Sequence, residues 1–396
     1  MRILQLCNKP PKPEIDGGCI AMSKISQGLI DAGHELKILT ASTHKHPFNP
    51  AKIDHSFLET TKIESVFLDT RINVIDAFSA LVTADSYNIS RFFSPDFDKR
   101  IREILSENHF DVVHLESLFM TPYIPTIRQS CPAKIVLRSH NLEHILWERL
   151  ANSAGNRAKR IYLKHLASKL KKYEIKTINE VDGIAAISQE DTDRFREILC
   201  EVPLISVPFG IDLSKYEAFK LRTKFESKLF HLGAMNWEPN KEGINWFHQE
   251  IWPLVKSKNV SMHLAGREMP KHVYDLSEDN FIVHGEVESA VDFIDDHDIM
   301  IVPLLSGAGM RIKIIEGLAM GKAIISTSIG AEGINVTHND NIIIADSAKE
   351  FAQAIKELCA NPERVKSIGK KGRQLVFEEY SNSKIVERLT DFYQSI

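Results

Sequence analysis

Short apolar runs recur along the whole chain, beginning with Ile3-Leu4-Gln5-Leu6-Cys7, and they alternate with longer segments whose apolar residues repeat at helical spacing. Runs of this length bounded by amphipathic helices are the signature of parallel strands buried on both faces of a sheet. The expected class is therefore α/β. In the first half the pattern predicts strands at 2–7, 35–41, 111–115, 134–138, 183–187 and 204–207. A second series begins near Lys228, with strands at 229–232, 261–265, 281–284, 299–304, 323–327 and 341–344. Residues 69–94 carry the least readable pattern. No internal period suggests a solenoid, and no tract is of low complexity.

Between the two series, Val207-Pro208-Phe209-Gly210-Ile211-Asp212 combines a proline, a glycine and a shift to polar residues through Lys224, as a crossing between domains does. The first domain is expected to span 1–206 and the second 207–380. In the last segment, 381–396, Ile385, Val386, Leu389 and Phe392 fall on one helical face, so this helix is expected to pack back on the first domain. A chain of 396 residues, 43% hydrophobic and 26% charged, has the material for two cores at the usual size of roughly 100 to 200 residues per domain.

Charge and cysteines narrow the setting. A formal net charge of -4 supplies no general basic field for a phosphate backbone, so nucleic acid is not an expected partner and any anion site is local. The five cysteines are scattered without a C-x-x-C pair or metal-ligand spacing, which reads as reduced thiols in a cytosolic protein. The N-terminus enters a strand without the pattern of a signal peptide, and no apolar run approaches the roughly 20 residues of a membrane span. The expected location is cytoplasmic, with peripheral contact at the inner face of the membrane left open.

Candidate chemistry lies in the turns at the ends of strands. The first βα turn ends in Gly17-Gly18, read as lying just before a helix from about Cys19 to Asp31. Free N–H groups and the positive end of the helix dipole favour an anion there, and a tight turn needing positive φ is the plainer alternative. Ile301-Val302-Pro303-Leu304-Leu305-Ser306-Gly307-Ala308-Gly309-Met310-Arg311-Ile312-Lys313 reads as strand, glycine loop and helix start. It resembles the opening of a dinucleotide fingerprint, but Ile312 stands where the third glycine belongs and no acid ends the next strand, so a nicotinamide or flavin cofactor is not expected. Arg311 and Lys313 oppose the dipole of the helix they open, which makes sense if an anion lies between them and the N–H groups. Glu316 on the same helix can accept both hydrogen bonds of a vicinal diol such as ribose, or can form an ordinary i, i+3 pair with Lys313.

On these residues the chain resembles the retaining GT-B glycosyltransferases of family four, the group-one transferases. That family carries two glutamates separated by seven residues, then a small-residue helix end and a strand. Here Glu316-Gly317-Leu318-Ala319-Met320-Gly321-Lys322-Ala323-Ile324-Ile325-Ser326-Thr327 matches the second glutamate, the helix end and the strand, while Ala308 takes the place of the first glutamate. The resemblance implies two Rossmann-like domains with parallel sheets facing each other across a cleft. It assigns ribose to Glu316, the diphosphate to Arg311 and Lys313, and the donor sugar to backbone N–H groups around Gly307, Ala308 and Gly309. It further implies donor contacts from the segment Gly233 to Asn240, whose aromatics and those of the next helix read as core, and base recognition by the main chain of Gly285-Glu286-Val287. His140, in Leu137-Arg138-Ser139-His140-Asn141-Leu142-Glu143, resembles the acceptor-side histidine that points toward the donor sugar, with Glu143 and His144 in the next turn.

The expected reaction is transfer of a sugar from a nucleoside-diphosphate sugar to a hydroxyl acceptor with retention, without metal or redox cofactor. His140, Arg311 and Lys313 are the expected catalytic groups, and Gly17 and Gly18 are expected to add N–H groups to the diphosphate. A carbohydrate, a glycolipid or a polyprenyl-diphosphate-linked acceptor would be used, in cell-surface polysaccharide synthesis. A nucleotide-sugar epimerase on the same architecture and a non-catalytic nucleotide-sugar-binding protein stay open beside it. The run Arg157 to Lys172 holds seven basic residues and no acid, which reads as a solvated face or as a helix that meets an anionic membrane.

Overall fold

The computed structural model describes residues 1–71, 86–216, 225–307 and 309–396. The chain divides into two compact units, Met1–Gly210 with Asn382–Ile396, and Ile211–Ser381. The crossing thus falls at Gly210, past the expected edge at Ser206.

In the first unit the strands are β1 (Arg2–Cys7), β2 (Glu35–Ser42), β3 (Glu64–Phe67), β4 (Val112–Glu116), β5 (Lys134–Ser139), β6 (Gly183–Ala186) and β7 (Leu204–Ser206). They pair in the order β3-β2-β1-β4-β5-β6-β7, every pair parallel. β3 has no counterpart in the sequence expectations. It is a short edge strand with Glu64, Ser65 and Val66 half-buried and Phe67 exposed, so it lacks the apolar run that a central strand needs. β1 shows the opposite: Leu4 and Leu6 pack into a core with Phe97, Ile101 and Leu170, while Ile3 and Cys7 face Met22, Ile25 and Leu29 of the helix Gly17–Asp31.

That second face is closed by the C-terminal helix Asn382–Ser395, which buries Ile385, Val386, Leu389, Phe392 and Tyr393 there. Two glycines make the room. A Cβ at Gly28 would collide with Val386 Cγ2, and one at Gly183 would stand 2.7 Å from Phe392 Cζ. The Tyr393 hydroxyl reaches through the core to Nδ1 of His114 on β4.

The second unit contains β8 (Lys228–Leu232), β9 (Ser261–Ala265), β10 (Phe281–Gly285), β11 (Ile299–Val302), β12 (Ala323–Ser326) and β13 (Ile343–Ile344). Their order is β10-β9-β8-β11-β12-β13, again parallel throughout. Leu229, Met262, Leu264, Ile299 and Ile301 form a core with Phe247, Trp252 and Phe351. Each sheet reverses its strand order beside its first strand, between β1 and β4 and between β8 and β11. Loops leaving the carboxyl ends of the strands at such a reversal splay apart and leave room for a ligand. Among the described residues no helix is long and apolar enough to cross a membrane.

Candidate functional site

The loops at the β8–β11 reversal bring most of the second unit's candidate residues together. Lys313, in the first turn of the helix Ile312–Ala319, points its ammonium at Asn240 Oδ1, 3.0 Å away, and at Nε2 of His231, 3.2 Å away. Asn240 is buried and spends its amide N–H on the Ala234 carbonyl at 2.8 Å. Gly233 is glycine because the space above it is taken: a Cβ there would lie 2.7 Å from Asn240 Nδ2 and 3.1 Å from Lys313 Nζ. The Lys313 ammonium thus meets only neutral partners in this contact set. Burial, followed by the charge of Arg311, pushes its pKa down to about 7.

Arg311 is the residue before that helix rather than part of its first turn, a correction to the sequence expectation. Its guanidinium is buried, bonds the Gly309 carbonyl and lies 5.2 Å from the ring centroid of Trp237. Two glycines of the loop have positive φ, Gly307 at +108° and Gly309 at +84°. A Cβ at Gly307 would come within 3.0 Å of both Arg311 Nη2 and the Trp237 ring. Ala308 lies outside the described residues. Glu316 is half-buried and accepts from the Tyr216 hydroxyl at 3.4 Å. Gly285 adopts φ +75°, with the Tyr274 hydroxyl filling the place a Cβ would need, and Val287 is half-buried in the loop beyond it.

In the first unit the equivalent reversal holds a carboxylate that sequence reading missed. Glu116, at the end of β4, is fully buried and bonds His140 Nε2 at 2.6 Å, Gln5 Nε2 at 2.8 Å and His114 Nε2 at 3.1 Å, with Arg138 Nη1 at 3.4 Å. Burial alone would raise the Glu116 carboxyl; Arg138 and the two histidines outweigh it and hold the group well below the usual carboxylate range. His140 keeps 15% of its side chain exposed and has its pKa lowered by burial, against the pull of Glu116. As a neutral ring it donates Nε2–H to the carboxylate and leaves Nδ1 as an acceptor.

Gly17 and Gly18 depart from expectation. Both are helical residues, Asp16 being the N-cap, and neither has positive φ. The helix start already carries an anion, since the Asp16 carboxylate accepts from Cys19 N–H at 2.9 Å, from Lys9 Nζ at 2.7 and 2.8 Å, and contacts His46 Nε2 at 3.0 Å. Gly18 serves a different need: a Cβ there would stand 2.7 Å from Lys9 Nζ. The cation offered at this turn is therefore Lys9. Glu143 and His144 are buried; His144 Nδ1 bonds Glu174 Oε2 at 2.6 Å, and burial beside Glu174 pushes the Glu143 carboxyl up to about 8.

Besides Glu116, the residues that sequence reading missed are His231, Trp237 and Lys9. His231 and Glu116 look like core positions because they end central strands, and only their polarity at that place signals otherwise. Trp237 was expected in the core with Trp246 and Trp252. Trp252 is buried, whereas Trp237 keeps 36% of its surface exposed beside Arg311.

Two family models match the chain: Glycosyltransferase Family 4 over residues 21–215 and Glycosyl transferases group 1 over residues 226–361. An uncharacterized 44.6 kDa protein in the cps region of Klebsiella pneumoniae is 24% identical over 97% of each chain. Among solved structures, sucrose-phosphate synthase from Thermosynechococcus elongatus is similar with a TM-score of 0.70 at 16% identity, covering 100% of this chain and 99% of that one. HepE from Anabaena, solved in complex with UDP, gives a TM-score of 0.66 at 13% identity with 100% of both chains covered. These likenesses show a GT-B fold of two Rossmann-like units.

Proposed function

From the premise that this chain carries glycosyltransferase family domains on a GT-B fold, we propose that it transfers a sugar from a nucleoside-diphosphate sugar to a hydroxyl acceptor with retention at the anomeric carbon. The observation that carries the reading is the cationic group at the β11 loop: buried Arg311 and half-buried Lys313 beside the positive-φ glycines Gly307 and Gly309. A diphosphate is the ligand whose two charges suit that pair, and its departure is the step at which charge develops. Trp237 stacks beside Arg311, Glu316 would take the ribose diol, and the backbone of Gly285 to Val287 would take the base.

Acceptor chemistry falls to the first unit. Neutral His140, oriented by the Glu116 carboxylate, offers Nδ1 to a hydroxyl of the donor sugar beside the reacting carbon and so positions that sugar for the acceptor. Retention without a glycosyl-enzyme intermediate needs front-face attack, in which the leaving diphosphate itself takes the acceptor proton; the cations then stabilise the charge that leaves. No metal or redox group is required by this scheme. The relative from a cps region supports cell-surface polysaccharide synthesis as the setting. Exposed Arg157, Lys159, Arg160 and Lys164, with Ile161 65% exposed among them, support contact with an anionic membrane or a lipid-linked acceptor.

The test is product analysis by NMR with nucleotide sugars and a panel of lipid-linked and free saccharide acceptors. A new glycoside that keeps the donor's anomeric configuration supports the proposal. An inverted product removes the front-face scheme. Conversion of the nucleotide sugar to its epimer without any acceptor, or binding with no turnover across the panel, replaces the transferase with one of the other two readings.

A further inference from the structure

Three histidines far apart in sequence meet on the second unit, on the sheet face opposite the Met262 and Leu264 core. His263 comes from β9, His284 from β10, and His297 from the turn between the helix Ala290–Asp295 and β11. One ring nitrogen from each lies within 4.8 Å of the others. His297 is buried, His263 half-buried and His284 exposed, so the cluster has a protein side and a solvent side. We infer that these three imidazoles form a binding site for a divalent transition metal of the zinc type, with solvent in the fourth position.

Three observations carry this beyond proximity. Protein-bound zinc accepts imidazole nitrogen at about 2.0–2.1 Å, which places the nitrogens of a tetrahedral set about 3.3–3.4 Å apart. His263 Nδ1 and His284 Nε2 are 2.9 Å apart, so this pair opens slightly while His297 closes in. Second, the outer nitrogens of His263 and His297 have partners that hold the rings in place. His297 Nδ1 donates to the Phe293 carbonyl, which leaves its Nε2 as a lone-pair donor, and His263 Nε2 contacts Ser261 Oγ at 3.0 Å, which holds the ring with Nδ1 toward the cluster. Third, the β9–β10 register shifts between Val283 and Gly285, and His284 is the residue at the irregularity. A bulge of this kind re-aims a side chain, and here the side chain joins the cluster.

Imidazole sets suit Zn²⁺, Cu²⁺ and Ni²⁺, and Zn²⁺ is the one whose tetrahedral preference fits three ligands with an open solvent side. His263 and His284 are head to head and nearly coplanar, with centroids 5.2 Å apart and planes at 19°, so capture requires a turn of one ring. His284, the exposed ring, has the room to make it. Phe230 and Phe293 wall the other side and keep His297 in place. The charged neighbours are Lys228, which acts against a cation, and Asp296, which acts for one. The site is no part of the reaction proposed above, and its role is to tie β9, the edge strand β10 and the approach to β11 together.

The probe is Zn²⁺ alone, titrated into the intact chain after chelation and dialysis, followed by calorimetry and by the visible spectrum of a Co²⁺ replacement. The expected result is one saturable site with micromolar affinity or better, a low-symmetry Co²⁺ spectrum, and a raised Tm with added Zn²⁺. His284→Ala, at an exposed position, is expected to fold normally and to weaken binding tenfold or more, on the order of what loss of a ligand or its support costs in such sites. Ser261→Ala is expected to weaken it less. Equal affinity and stoichiometry in the parent chain and in His263→Ala/His284→Ala, with circular dichroism showing both folded, would overturn the inference, because the chain's 16 histidines supply adventitious binding. Absence of saturable binding in the parent chain overturns it as well. Nucleotide binding by Arg311→Ala is read separately, so a failed donor site and a failed metal site give different results.

Discussion

The half-buried Lys313 gives the donor site a pH dependence whose sign and size come from its surroundings. Burial and Arg311 push the free group down to about 7. An incoming diphosphate supplies the charge that His231 and Asn240 lack, and returns the group toward the ordinary lysine range near 10.4. Binding must then take up a proton wherever free Lys313 is neutral, so affinity falls as pH rises above about 7. Between pH 6 and pH 8.5 the protonated fraction of the free enzyme drops about thirtyfold, equivalent to about 2 kcal/mol of binding. A nucleotide sugar is the right probe, because its diphosphate diester does not titrate in this range. Calorimetry in two buffers of different ionisation heat measures both the affinity and the proton uptake. Lys313→Arg, which stays charged, should flatten the profile; Lys313→Met should flatten it at low affinity. A change under threefold in the parent chain, or the same slope in Lys313→Arg, would refute the reasoning.

Four further outcomes are expected. His140→Ala should lower kcat by about 10²–10³ while leaving the affinity for the nucleotide sugar within threefold, checked by steady-state rates and calorimetry. Glu116→Gln leaves buried Arg138 without its carboxylate, and urea unfolding should show a loss of about 3–5 kcal/mol; since the Glu116 pKa is depressed, that loss should persist from pH 7 down to the ordinary carboxylate range near 4.3 and shrink only below it. Glu143→Gln should raise Tm at pH 8 and above but little at pH 5, because a carboxyl pushed up to about 8 binds its proton more tightly in the folded chain, so stability falls as pH rises from the unfolded value toward 8. Removal of residues 382–396 takes away the buried Ile385, Val386, Leu389, Phe392 and Tyr393 and uncovers the face they share with Met22, Ile25 and Leu29, at about 1.5–3 kcal/mol for each lost aliphatic or phenyl side chain, which matches a typical domain's whole stability; expression should give insoluble protein, and a soluble, cooperatively melting product would contradict the packing.

Both sheets were legible in the sequence because central parallel strands are continuous apolar runs, and Arg2–Cys7 and Ser261–Ala265 match their predicted bounds. β3 escaped for the same reason, since an edge strand with half its surface wet has no such run. The diglycine shows a subtler limit. Sequence marks Gly17-Gly18 as conformationally special, yet both are ordinary helical residues and the Lys9 ammonium packs over Gly18, a contact between a loop and a helix start that no periodicity encodes. Glu116, His231 and the three clustered histidines share one cause of illegibility. Each gains its meaning from residues brought alongside by sheet order, such as His263 beside β10, and spacing along the chain carries no trace of that. Arg311, Lys313 and Glu316 were readable because they lie on one short segment.

The donor grip of the second unit is tested most directly by a thermal-shift screen of UDP, GDP, ADP and CMP and their sugar conjugates, with NAD as a control, run in EDTA on the parent chain, Arg311→Ala and Glu316→Ala. One nucleoside diphosphate and its sugar should raise Tm in the parent chain, with the shift lost in Arg311→Ala and reduced in Glu316→Ala. A shift with NAD alone, or an equal nucleotide response in all three proteins, would contradict the assignment.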